Sequence, residues 1–165
     1  MIKLEGTQKM SCEQKLGYMI ELLEKQLGSE NDFIANMSNA CAIIKALIEK
    51  LNWVGFYFLK ENELVLGPFQ GLPATNRIGK GKGICGKAVL EQKIQRVENV
   101  HEFECHIACD LNSKSELVVP IIKDGKVLAV LDIDSPQIGR FTLLEQKYFV
   151  MFTQLLIDKI DWPKY

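Results

Sequence analysis

The residues with the most chemical capacity are five cysteines, at positions 12, 41, 85, 105 and 109, and two histidines, both within HEFECHIACD over 101–110. That segment carries His101, Cys105, His106 and Cys109, which as residue types could make a tetrahedral zinc site. Common structural zinc sites match a short knuckle with a second ligand pair far along the chain. Four ligands crowded into nine positions would strain the backbone, so the spacing argues for no metal. Two readings stay open for this segment: a reactive thiol whose thiolate is held by a nearby imidazole, or inert buried cysteines.

A second constellation is acidic. Glu116, Asp132 and Asp134 interrupt the apolar runs SELVVPII and VLAVLDIDS. Acids that converge on one face repel one another, and at least one should then hold its proton well above the usual carboxylate range. Such a carboxyl can act as general acid while its neighbours bind an ammonium group. The alternative is that all three project into water. GKGKGICGKA, from Gly79, has glycines and lysines but neither the Walker spacing nor a preceding buried strand. It reads as a loop closing over a pocket, with Cys85 near the start of a helix, where the positive dipole end favours a thiolate. Trp53 and Tyr57 share one strand face, as core residues or as walls of an apolar pocket. Cys12 and Cys41 fall on or near apolar helix faces and read as packing residues.

Regular elements must position these groups. Leu16, Met19, Ile20, Leu23 and Leu27 repeat at helical spacing until Gly28-Ser29. A second helix opens near Asn31-Asp32, with Phe33, Met37, Cys41, Ile44, Ile48 and Leu51 on one face. Trp53–Leu59 and Leu64–Phe69 read as a hairpin around the turn Lys60–Asn62. A short helix over Ile84–Gln92 and a brief strand at Ile94–Val97 follow. Glu98–Lys114 has no clear period, and long segments of that kind inside compact domains are commonly functional. Leu117–Ile122 and Val127–Ile133 are buried strands, and Leu144–Ile160 is a closing helix with Tyr148, Met151 and Leu155 inward. The class is α+β, with N- and C-terminal helices flanking a mostly antiparallel sheet of about five to six strands.

Register decides whether the acids meet. Between the last two strands, Ile122-Lys123-Asp124-Gly125-Lys126 suits a type I turn with a left-handed glycine closing a three-residue loop. Ile122 then pairs with Lys126, Glu116 lies opposite Asp132, and Asp134 sits two residues along the same face. A two-residue loop would send Glu116 to the other face.

The chain is read as a single domain over 1–165, with a helical part at 11–51 and a sheet and active-site part at 52–160. Lysine plus arginine number 20 against 21 acids, a net charge of −1. This excludes a nucleic-acid or polybasic membrane surface. MIKLEGTQKM has no signal-peptide core, and no apolar window spans a membrane. The expected address is cytoplasmic and reducing, where scattered cysteines serve chemistry or packing rather than a disulfide scaffold.

In order, NWVGFY, GPFQG, GKGICGKA, HIACD, SELVVPI and LDIDSP resemble the free methionine-R-sulfoxide reductases, single-domain GAF proteins. The likeness runs over roughly residues 50–160. It implies reduction of free L-methionine-(R)-sulfoxide with no bound cofactor, Cys109 as catalytic thiol, and Glu116, Asp132 and Asp134 as an acidic pocket. Trp53 and Tyr57 would line that pocket. It further implies a sulfenic acid on Cys109, a disulfide, and recycling by a thioredoxin-type reductant; a homodimer is a fair expectation.

Two departures bear on the second thiol. A family cysteine ten residues before GICG is replaced by Thr75, and Cys105 stands where glycine is usual. Cys85, which matches a second family cysteine in GICG, is the first choice as resolving thiol by that resemblance, and Cys105 is the alternative. An extended segment would hold Cys105 and Cys109 about 13 Å apart, beyond the ~7 Å disulfide limit, whereas a helical turn would bring them near it. The loss at Thr75 also supports a competing reading, a non-catalytic GAF module that binds a small molecule or senses redox state.

Overall fold

The computed structural model describes residues 6–103 and 112–163. Two helices open the chain. Helix α1 (Cys12–Leu27) begins with a reciprocal capping box between Ser11 and Gln14, and α2 (Phe33–Leu47) begins where Asp32 accepts the Ala35 amide. Strand β1 (Trp53–Lys60) turns through Glu61-Asn62 into β2 (Glu63–Gln70), and a short β3 (Arg77–Gly79) follows. Helix α3 (Gly83–Glu91) leads to β4 (Gln95–Val97), then to β5 (Ser115–Lys123), β6 (Lys126–Ser135) and α4 (Leu143–Lys159).

The six strands form one sheet in the order β3-β2-β1-β6-β5-β4, and every described pairing is antiparallel. Alternation along β1, β5 and β6 splits the core in two. Val54, Phe56, Phe58, Leu117, Val119, Ile121, Ala129, Leu131 and Ile133 pack beneath α1, α2 and α4. Trp53, Tyr57, Val118 and Val130 face the other way, toward Ile84, Cys85, Ala88 and Val89 of α3. All the candidate chemistry lies on this second side.

The last hairpin differs from the expected register. Asp124 and Gly125 both adopt left-handed φ, 52° and 75°, and Lys123 pairs with Lys126. This is a two-residue turn of the primed kind, whose twist matches the strands and for which Asp-Gly is a preferred pair. Ile122 pairs with Val127 but Ile121 with Ala129, so Leu128 is the extra residue of a bulge. Turn and bulge together move the pairing by two residues. Glu116 therefore lies opposite Asp134 rather than Asp132, yet stays on the expected face.

Two other expectations are corrected. Helix α4 buries Phe149, Phe152 and Leu156, while Met151 is 43% exposed. The Thr142–Glu145 capping box fixes where the helix starts, and Glu145 itself is buried against Arg140, so a polar residue occupies part of the inner stripe. Cys12 is exposed and not a packing residue, because it is the first residue of α1, ahead of the buried face that starts at Leu16. Cys41 is fully buried, as expected, and its thiol donates to the Pro68 carbonyl oxygen at 3.2 Å. Desolvation pushes that thiol far above its ordinary range and leaves it inert.

Candidate functional site

Cross-strand pairing builds the floor of the site. Trp53 of β1 pairs with Asp134 of β6, which pairs with Glu116 of β5. One row along, Gly55 pairs with Asp132, which pairs with Val118. Three carboxyls and an indole thus share one sheet face. Glu116 is 4% exposed, Asp132 0% and Asp134 1%, so the acids do not project into water. Helix α3 lays Cys85 over them, with Sγ 3.9 Å from Glu116 Oε1. Cys85, Glu116 and Asp132 each offer a ligand-capable atom, and these atoms lie within 4.8 Å of one another.

Three buried acids this close cannot all ionise. Burial raises Glu116 well above the ordinary carboxylate range, and the charge of Asp134 raises it further. Hydrogen bonds with Asp132 and Cys85 oppose the shift without cancelling it. At least one carboxyl of this floor therefore holds its proton above the ordinary carboxylate range.

The aromatic wall rises from β1. Trp53 stacks on Phe69 with ring centroids 5.4 Å apart and on Tyr57 at 5.9 Å. Trp53 Nε1 donates to the Leu72 carbonyl oxygen at 3.1 Å, and the Tyr57 hydroxyl donates to that of Thr75 at 2.9 Å. These bonds strap segment 71–76 to β1 beside the acids. Gly55 has to be glycine here, because a Cβ would come within 2.5 Å of Phe69 and of the Trp53 ring. Sequence reasoning passed over Phe69, Gly55 and the Leu72 and Thr75 carbonyls. A glycine inside the aromatic run WVGFYF was the available signal, since strand glycines mark close approaches.

Six of the sequence-derived residues, Trp53, Tyr57, Cys85, Glu116, Asp132 and Asp134, come together in this way. Cys105, His106 and Cys109 lie outside the described residues. His101 sits in a single 3-10 turn, Val100–Glu102, with its side chain exposed and its amide donating to Asn99.

The sequence matches the GAF domain family over residues 32–157. It is 47% identical over 116 residues to the free methionine-R-sulfoxide reductase of Escherichia coli, covering 70% of each chain. The chain belongs to this reductase family. A solved homologue, the free methionine-R-sulfoxide reductase of Neisseria meningitidis in complex with its substrate, superposes with a TM-score of 0.87. It is 34% identical, covering 91% of this chain and 90% of that one. The corresponding substrate complex from Staphylococcus aureus gives a TM-score of 0.82 at 44% identity, covering 87% and 94%. The GAF match begins at the cap of α2, and α1, which precedes it, packs on α2 and α4. Among the described residues no helix is long and apolar enough to cross a membrane.

Proposed function

We propose that the protein reduces free L-methionine-(R)-sulfoxide to methionine at the acidic face between the sheet and α3. The observation that carries this reading is the buried Glu116–Asp132–Asp134 cluster, set beside an aromatic wall and under a thiol. An amino acid brings an ammonium group, which ionised carboxyls bind, and an apolar methylthio end, which the Trp53 and Tyr57 rings can cover. The sulfoxide oxygen needs a proton as it leaves sulfur, and Glu116 is held protonated to supply one.

In the proposed reaction the Cys109 thiolate attacks the sulfoxide sulfur. Glu116 protonates the oxygen, which passes to Cys109 as a sulfenic acid while methionine departs with its sulfur reduced. Glu116 then regains a proton from solvent. A second thiol condenses with the sulfenic acid, forming a disulfide and releasing water. Cys85 is the first choice for that thiol because it already lies against Glu116; Cys105 is the alternative. A thioredoxin-type dithiol then reduces the disulfide, becoming oxidised itself. Cys85, with Glu116, Asp132 and Asp134 below it, needs no bound cofactor for these steps. A reducing compartment and a homodimer complete the proposal.

The test incubates purified protein with racemic free methionine sulfoxide and dithiothreitol, then quantifies methionine and each remaining epimer. Consumption of the R epimer alone is expected, and Cys109→Ser should abolish it. A folded protein that releases no methionine would refute the reading in favour of a binding or sensing module.

A further inference from the structure

Cys85 Sγ, a Glu116 oxygen and an Asp132 oxygen converge from α3, β5 and β6 within 4.8 Å of one another, and all three side chains are buried. This mixed set differs from an acidic patch in its soft sulfur ligand, which selects thiophilic cations over magnesium or calcium, both of which take oxygen. We propose that these three residues form a binding site for a thiophilic divalent cation, zinc above all, which on binding would close the pocket. The inference concerns the site described under the proposed function, but it assigns that site a second, inhibitory ligand.

The geometry suits zinc. Bonds of about 2.3 Å to sulfur and about 2.0 Å to oxygen place those two ligand atoms about 3.5 Å apart in a tetrahedron. Sγ and Glu116 Oε1 are 3.9 Å apart, so closing the edge takes about 0.4 Å, within reach of a side-chain adjustment. Binding forms bonds from the cation to one sulfur and two oxygens. It releases the Cys85 thiol proton and any proton on the two carboxyls it engages, with no change of oxidation state. The dication would then neutralise a buried acidic group that also includes Asp134. An ammonium group and the dication cannot occupy the same carboxyls, so zinc and amino-acid substrate exclude each other.

The test titrates reduced, chelator-stripped full-length protein with zinc against a chromophoric chelator. A parallel titration uses cobalt(II), whose thiolate complexes absorb in the near ultraviolet. One equivalent per chain is expected, together with the sulfur-to-cobalt band. Cys85→Ser should remove the band and weaken zinc binding about 100-fold or more, and so should Cys85→Ala; unfolding midpoints of both variants verify their folding. A Cys105→Ser/Cys109→Ser double variant should keep the site. No stoichiometric binding, or binding and band that survive in folded Cys85 variants, would overturn the proposal. Turnover without zinc binding refutes the cation site alone, whereas zinc binding without turnover refutes the reductase reading alone.

Discussion

Gly86→Ala separates what α3 does for stability from what it does for chemistry. A Cβ at Gly86 would lie 2.6 Å from the Gly79 carbonyl oxygen and 3.0 Å from the Gly81 nitrogen, both backbone atoms. Ordinary contact begins near 3.4 Å, so α3 would have to withdraw by about 0.8 Å from that loop. The loop cannot swing away like a side chain, because Gly81 N–H is bonded to the Gly86 carbonyl at 2.9 Å. Overpacking of this kind costs about 1–3 kcal/mol, while alanine gains about 1 kcal/mol of helix propensity over glycine. The net loss is then about 0–2 kcal/mol, or up to about 8 °C in unfolding midpoint for a chain of this size. Cys85 is the preceding residue and moves with the helix, so its position over Glu116 changes. A displacement on the order of 1 Å costs about 100-fold in a step that depends on position. Thioredoxin-driven turnover should therefore fall about 100-fold, with dithiothreitol-driven turnover far less affected. Gly17→Ala is the control, since nothing lies within 4 Å of its added Cβ and it should stabilise. Thermal unfolding and the two coupled assays decide the matter. If Gly86→Ala is as stable as Gly17→Ala and turns over normally with thioredoxin, the close approach of α3 does not position Cys85.

Three further perturbations test the site and its frame. Glu116→Gln should lower turnover about 10²–10⁴-fold through loss of the acid and abolish the decline expected of wild type as pH rises through the raised Glu116 pKa. Its stability should change in the opposite sense. In wild type the unfolded chain gives up the Glu116 proton first, so folding loses stability from the ordinary carboxylate range up to the raised native value. The variant lacks that loss, and its unfolding midpoint should gain on wild type as pH rises above the ordinary carboxylate range. Cys85→Ser should spare turnover with dithiothreitol but impair the thioredoxin cycle; equal loss with both reductants would mean Cys85 does more than resolve. Arg140→Ala should cost about 1–3 kcal/mol in denaturant unfolding, because Glu145 is 1% exposed and loses its guanidinium while keeping the Thr142 amide and hydroxyl. A cost below about 0.5 kcal/mol would show that the ion pair contributes nothing measurable.

Elements with strong local signals were legible in the sequence. The helices at the N-terminus, the β1–β2 hairpin and the two long strands of β5 and β6 follow from periodicity and turn residues. What escaped depended on neighbours. Strand β3 is three residues long and exists because β2 offers it an edge; nothing in Arg77–Gly79 alone demands a strand. The inner face of α4 was misread because a buried Glu145 breaks the apolar stripe, and partners outside the helix, Arg140 and the Thr142 cap, make that burial tolerable. Around the pocket, side chains could be nominated by type, but the backbone carbonyls of Leu72 and Thr75 that anchor the aromatic wall carry no residue signature.

The bulge at Leu128 has a consequence for how this chain can change length. Val127 and Ala129 lie on opposite sheet faces although both carry odd numbers, because Leu128 absorbs one step of the alternation. Loss of Leu128 alone would leave a regular ladder with Glu116 still beside Asp134. Loss of a single residue between Ala129 and Leu131, with the bulge kept, would instead bring Ile133 and Ser135 to the places that Asp132 and Asp134 now hold. The hairpin thus has one position where a deletion is silent, and flanking positions where the same event, unless the bulge absorbs it, strips two carboxyls from the reactive face.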